Sequence, residues 1–236
     1  MFPALAGAAA VLYAGYAAMS PTSQLYGRTF VRGRPGSRQI ALTFDDGPND
    51  THTGQLLEVL ARNEVRATFF MIGRFVRERP QIARAVAEAG HVVGNHTDTH
   101  PNLIGCSSAQ VAIQVDECER VLSDAVGAHS RLFRPPFGGR LPHVLGVLRD
   151  RGYETVMWSV SSRDWSLATT DRIEQQVVSR IRGGDVVLMH DGGHRQMGIF
   201  RGHTVGAVDR LIRRFKQEGF RFVTVPEMMQ KGADAQ

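Results

Sequence analysis

From residue 39 onward the chain alternates short apolar runs with amphipathic stretches of helical period, and this alternation leaves few folds open. Strands are expected at residues 39–44, 67–72, 91–95, 132–134, 155–160, 185–189 and 220–225. Helices are expected between them, for example at 55–62, 81–89 and 109–125. The last carries Val111, Val115, Cys118, Val121 and Leu122 at helical spacing. Gly90, Gly127, Gly152 and Gly219 fall where a helix should stop before the next strand. Strands separated by helices pair in parallel, and strict repetition favours a barrel over an open sheet. The expected class is therefore α/β, a (β/α) barrel with about seven parallel strands. In such barrels the active site forms at the C-terminal ends of the strands.

At 236 residues the chain can build one sizeable core. The barrel is expected over residues 38–230, after a Gly/Pro/Arg linker at 33–37. Residues 1–27 carry no charged side chain, and residues 2–19 are nearly all apolar, just long enough to span a membrane. The segment lacks a basic leader and a clear cleavage site. Arg28, Arg32, Arg34 and Arg38 follow it, which argues against export of the downstream domain. A membrane anchor is the favoured expectation, beside an uncleaved signal or a buried helix, and a chain starting near Arg38 is expected to fold alone. The formal charge of +5 suits nucleic acid, anionic lipid or an acidic polymer, but the arginines are dispersed and no nucleic-acid module is present. Cys106 and Cys118 are expected as free thiols.

Polar clusters follow the expected strands one after another. Asp45-Asp46-Gly47-Pro48 ends the first, and alone would read as a turn. His96-Thr97-Asp98-Thr99-His100 ends the third; histidines four apart can face one way on a single helical turn and share a metal. Two histidines with one carboxylate leave metal positions open for water and substrate, and Asp46, His96 and His100 satisfy that count. Arg134-Pro135-Pro136-Phe137 ends the fourth strand, Asp164-Trp165 follows the fifth, and Leu188-Met189-His190 ends the sixth.

These motifs resemble those of the NodB-homology polysaccharide deacetylases, carbohydrate esterase family four, over roughly residues 38–226. TFDDGP at 43–48, HTDTH at 96–100, RPPF at 134–137, Asp164-Trp165 and Leu188-x-His190 look like the five family motifs in order. The resemblance implies a distorted (β/α) barrel and metal-dependent removal of acetyl groups from sugars. It makes Asp46, His96 and His100 the metal ligands, Asp45 the general base and His190 the general acid. Arg134 would hold the base and Asp164 would tune His190. The Phe137 N–H would help stabilise the oxyanion, while Trp165 and Leu188 would line the acetyl pocket. Two departures stand out: Ser161 replaces an acid often found three residues before Asp164, and Phe137 replaces a common tyrosine.

The chemistry is coherent on its own, because amide hydrolysis at neutral pH needs an activated water, a base and a protonated leaving group. Zn²⁺ is the expected ion, with Co²⁺, Mn²⁺ or Ni²⁺ as alternatives. The expected substrate is an N-acetylglucosamine polymer of chitin or peptidoglycan type, in the bacterial cell envelope. O-acetyl xylan esterase, cyclic-amide hydrolase and non-catalytic sugar binding are the competing readings; the last predicts erosion of the metal set or the base, and both are intact.

Overall fold

The structure is a computed structural model and describes residues 12–166 and 169–233. Eight short strands are present: β1 (Gln39–Gly47), β2 (Thr68–Met71), β3 (Val92–Asn95), β4 (Leu132–Phe133), β5 (Glu154–Thr155), β6 (Val160–Ser161), β7 (Asp185–His190) and β8 (Arg221–Phe222). All pairings among them are parallel. Seven form one curled path, β5-β4-β3-β2-β1-β7-β6, and β8 adds beside β1. This is the distorted (β/α) barrel that the alternation implies. The expected strand at 155–160 is in fact β5 and β6, which lie at opposite ends of the path. Local apolar pattern cannot report that Val156–Ser159 crosses the gap between them.

Around the sheet lie α1 (residues 12–19), α2 (His52–Arg62), α3 (Gly73–Glu78), α4 (Pro80–Glu88), α5 (Ser108–Val126), α6 (Pro142–Asp150), α7 (Thr170–Val178), α8 (Gly202–Gln217) and α9 (Val225–Ala233). A capping box of Ser107 and Gln110 opens α5, and Gly127 ends it at a φ of 70°. Strand parity sorts the core. In β1, Ile40, Leu42 and Phe44 join the layer under the helices, and Ala41 joins a smaller cluster with Phe70, Val186 and Val223. Each large side chain in these layers contributes about 1.5–3 kcal/mol by burial alone.

The segment before β1 is part of the barrel. Phe30 bridges Val156, Arg32 bridges and ion-pairs with Asp185, and the Gly33 N–H donates to the Gly184 carbonyl at 2.8 Å. Residues 30–33 thereby tie the β5 end of the path to the start of β7. A chain beginning at Arg38 would lack this clasp. The expected anchor falls mostly on residues 1–11, which lie outside the described residues. Among the described residues, no helix is long and apolar enough to cross a membrane. Cys106 and Cys118 are free, with Cys118 fully buried.

Candidate active site

β1 and β7 pair in a register that sets Thr43 beside Leu188 and Asp45 beside His190. Continued alternation would turn Asp46 away from Asp45, but the β1–β2 register slips between Asp45 and Gly47 and Asp46 takes a φ of 71°. This bulge brings both carboxylates to one cleft. Among the described residues six non-glycine residues have positive φ; Asp46 lies near the end of β1, and Thr97, His100, Phe137 and Arg163 lie after the ends of β3, β4 and β6. Such backbone costs energy and collects where geometry matters more than stability.

Arg134 plugs the barrel interior without any solvent exposure. Its guanidinium donates to Asp45 Oδ1 and Thr43 Oγ1 at 2.7 Å each, and to the carbonyls of Val156 and Met157 at 3.2 and 3.0 Å. It also stacks over Phe70, 4.2 Å from the ring centre. Asp45 is thus held through Oδ1 by a charged anchor that is itself fixed by three further hydrogen bonds.

His96 and His100 are brought together by a loop rather than the helical turn that their spacing suggests. The Asn95 amide oxygen accepts from the Thr97 N–H, and the Thr97 hydroxyl from the His100 N–H. His96 Nδ1 donates to the Arg134 carbonyl at 2.7 Å, which leaves Nε2 free to face Asp46. Asp46 Oδ1 lies 3.6 Å from His96 Nε2 and 3.2 Å from His100 Nε2. It is buried with no hydrogen-bond partner, as is His100 Nδ1. Ligands about 2.1 Å from a tetrahedral ion stand about 3.4 Å apart, so these atoms could hold a divalent cation. Burial alone would raise the Asp46 carboxyl, but His194 and His96 outweigh it and hold it well below the usual range. Burial, with the adjoining His96, pushes His100 down to about 3, so its imidazole is neutral and free to ligate.

At the end of β7, His190 Nδ1 pairs with Asp164 Oδ1 at 2.8 Å. Burial would lower the His190 imidazole, yet the Asp164 carboxylate overrides it and pushes the pKa up to about 9. Asp164 also accepts from the His190 N–H, Ser162 Oγ and Thr204 Oγ1. Ser161 makes no contact with it and instead accepts from the Arg163 N–H. The acid missing at 161 is therefore not needed to hold Asp164. Ser161→Asp is expected to change the pH–rate profile modestly and metal content not at all; a loss approaching that of His190→Ala would contradict this geometry.

Phe137, Trp165 and Leu188 line the same cleft, which measures about 460 Å³. Phe137 meets His100 edge-on at 4.7 Å and Trp165 meets His190 at 5.2 Å. All ten residues singled out in the sequence thus converge, with Arg134 and Asp164 behind the walls. A larger groove of about 1130 Å³ runs beside residues 22–34, but no histidine lines it.

The sequence reading leaves out His194, although His190 and His194 repeat the spacing of His96 and His100. Its ring stacks on His100 at 4.7 Å and 20°, and its Nδ1 lies 3.8 Å from Asp46 Oδ2. His100 has no hydrogen bond at Nδ1, so ring packing by His194 and Phe137 orients it instead. His194→Ala is expected to weaken metal binding about 10–100-fold in chelator competition. His194→Phe, which keeps the stack, should retain most of the affinity. Equal losses in both variants would show that the imidazole nitrogen, not the stack, matters.

Known proteins resemble this chain in sequence and in fold. The polysaccharide deacetylase family model matches residues 32–156. A chitooligosaccharide deacetylase of Sinorhizobium fredii is 39% identical over 208 residues, covering 86% of this chain and 97% of its own length. A peptidoglycan-N-acetylglucosamine deacetylase of Bacillus cereus is 37% identical over 194 residues, covering 81% and 68%. The crystal structure of a peptidoglycan N-acetylglucosamine deacetylase bound to a naphthyl N-hydroxybenzamide superposes with a TM-score of 0.78 at 35% identity, covering 85% and 92%. A pseudoenzyme of carbohydrate esterase family four from Bacillus anthracis superposes equally well, with a TM-score of 0.79 at 30% identity over 85% and 68%. The barrel alone therefore does not make a catalyst. By its sequence, its barrel and this converged set of side chains, the chain belongs to the polysaccharide deacetylase family and is a carbohydrate deacetylase.

Proposed function

We propose that this chain removes the N-acetyl group from N-acetylglucosamine units of a chitooligosaccharide or peptidoglycan-type polymer in the cell envelope. Asp46, His96 and His100 would hold the divalent ion, with Zn²⁺ the best match to two imidazoles and a carboxylate. Such an ion supplies Lewis acidity toward the acyl oxygen and lowers the pKa of a water beside it.

The observation that carries the reading is the placement of Asp45 and His190 at paired positions of neighbouring strands lining one cleft, with the Asp164 carboxylate keeping His190 protonated at neutral pH. Environments that divide acid from base assign the two roles. Asp45, clamped by Arg134, takes the proton of the attacking water. His190 gives its proton from Nε2 to the departing sugar nitrogen, since Nδ1 is engaged by Asp164. The Phe137 N–H is the backbone donor to the oxyanion, and Trp165 with Leu188 encloses the acetyl methyl.

Because the acid must carry its proton, the rate is expected to fall as pH rises through the His190 pKa. That limb lies at or below about 9, since a bound cation lowers the imidazole further. Asp164→Asn removes the charge that raises it, so the limb should move toward the ordinary histidine value of about 6.5. The reading is tested by acetate release from N-acetylated and O-acetylated oligomers with metal content measured alongside. Release from O-acetylated substrates alone would replace it by an esterase.

A further inference from the structure

Nine large apolar side chains are exposed among the described residues, and eight of them fall into two groups. Leu12, Tyr13, Tyr16, Met19 and Leu25 belong to α1 and the turn after it. Phe137 and Trp165 line the cleft, and Phe200 stands between two of its lining residues, Ile199 and Arg201. α1 is inverted relative to a helix of a soluble barrel. Its small Ala17 and Ala18 are buried, while Leu12, Tyr16 and Met19, at i, i+4 and i+7, face outward beside Tyr13.

α1 is also fixed to the loop that carries Phe137. The Arg140 N–H donates to the Ala18 carbonyl at 3.0 Å, and its guanidinium to the Ser20 and Ser23 carbonyls at 2.7 Å each. Gly138 lies against Met19, where a Cβ would stand 3.6 Å from the Met19 carbonyl oxygen. The outward stripe and the mouth therefore share one end of the barrel. Arg163 and Arg195 are exposed in the loops around the mouth, and neither guanidinium has a partner among the described residues.

We propose that this face docks on an anionic phospholipid bilayer, with Tyr13, Tyr16 and Met19 in the headgroup region and the cleft opening toward the membrane surface. Tyrosine rings with an apolar body and a polar tip suit that depth, and unpaired guanidinium groups suit lipid phosphates. Residues 1–11, directly ahead of α1, carry only apolar side chains, glycine and proline, so the apolar run continues unbroken into the stripe. A sugar chain could occupy Phe137 and Trp165, but Leu12, Tyr16 and Met19 lie outside the cleft lining and a sugar would leave them bare. The orientation of the cleft rests on the deacetylase reading; the docking does not.

The test uses the full metal-loaded chain with Trp158→Phe, which leaves Trp165 as the only tryptophan. Phosphatidylglycerol vesicles brominated near the headgroup should quench Trp165 emission, and phosphatidylcholine vesicles should bind about tenfold or more weakly. Tyr13→Ser with Tyr16→Ser should weaken vesicle binding about tenfold and leave acetate release from a soluble N-acetylated oligosaccharide unchanged. Vesicle binding without Trp165 quenching would overturn the proposal, since residues 1–11 alone would then hold the chain. Unaltered binding in the double variant would also overturn it. Self-association abolished by the same substitutions would assign the stripe to a second copy, and lost binding to insoluble chitin or peptidoglycan would assign it to polymer. Docking without acetate release would leave this proposal standing and remove the deacetylase reading.

Discussion

Asp45→Asn is expected to retain its metal and lose about 10²–10⁴-fold in kcat, the usual contribution of a general base. Asparagine keeps the size and the hydrogen bond from Arg134 but not the basicity. Asp46→Asn should do the opposite. Its Oδ1 is the buried, unpartnered oxygen that faces His96 and His100, so the neutral amide should weaken metal binding, and excess metal should partly restore the rate. Metal stoichiometry and acetate release, with metal titrated to saturation, separate the two. Loss of metal from Asp45→Asn, or equal loss from both, would reverse or erase the division of roles.

Arg134→Met is expected to cost about 3–5 kcal/mol of stability, because it leaves the buried Asp45 carboxylate without its paired charge. Two carbonyls and the Thr43 hydroxyl lose their donor as well. Adding Asp45→Asn to this variant should recover part of the loss, since removing both charges of a buried pair costs far less than removing one. Denaturant unfolding of the two single variants and the double variant measures the coupling. Strict additivity would mean that Arg134 acts as a packing plug and not as the anchor of Asp45.

The alternation of strand and helix patterns was legible because apolar periodicity is a local property that burial imposes on every element. The five polar clusters were legible because a barrel of parallel strands gathers their C-terminal ends whatever lies between, so the order of the motifs already implied their meeting. Short local patterns also set the helix stops at Gly90, Gly127, Gly152 and Gly219, all of which have φ between 70° and 81°.

What only the tertiary structure decided depends on residues distant in sequence. Asp45 and Asp46 share a cleft because β2 forces a bulge on β1, whereas strand parity alone would divide them. His96 and His100 meet in a loop tied down by Asn95 and Thr97, where spacing alone suggested a helix. Residues 155–160 part into two strands because the barrel stays open there, and residues 30–33 tie the β5 end of the path to the start of β7, a contact between segments more than a hundred residues apart. His194 enters the site only because the loop after β7 folds its ring onto His100. α1 turns its alanines inward and its large side chains outward where Arg140, in the loop after β4, holds the end of the helix and the turn beyond it. Local sequence determines which face of an element is apolar; only the packed chain determines what that face meets.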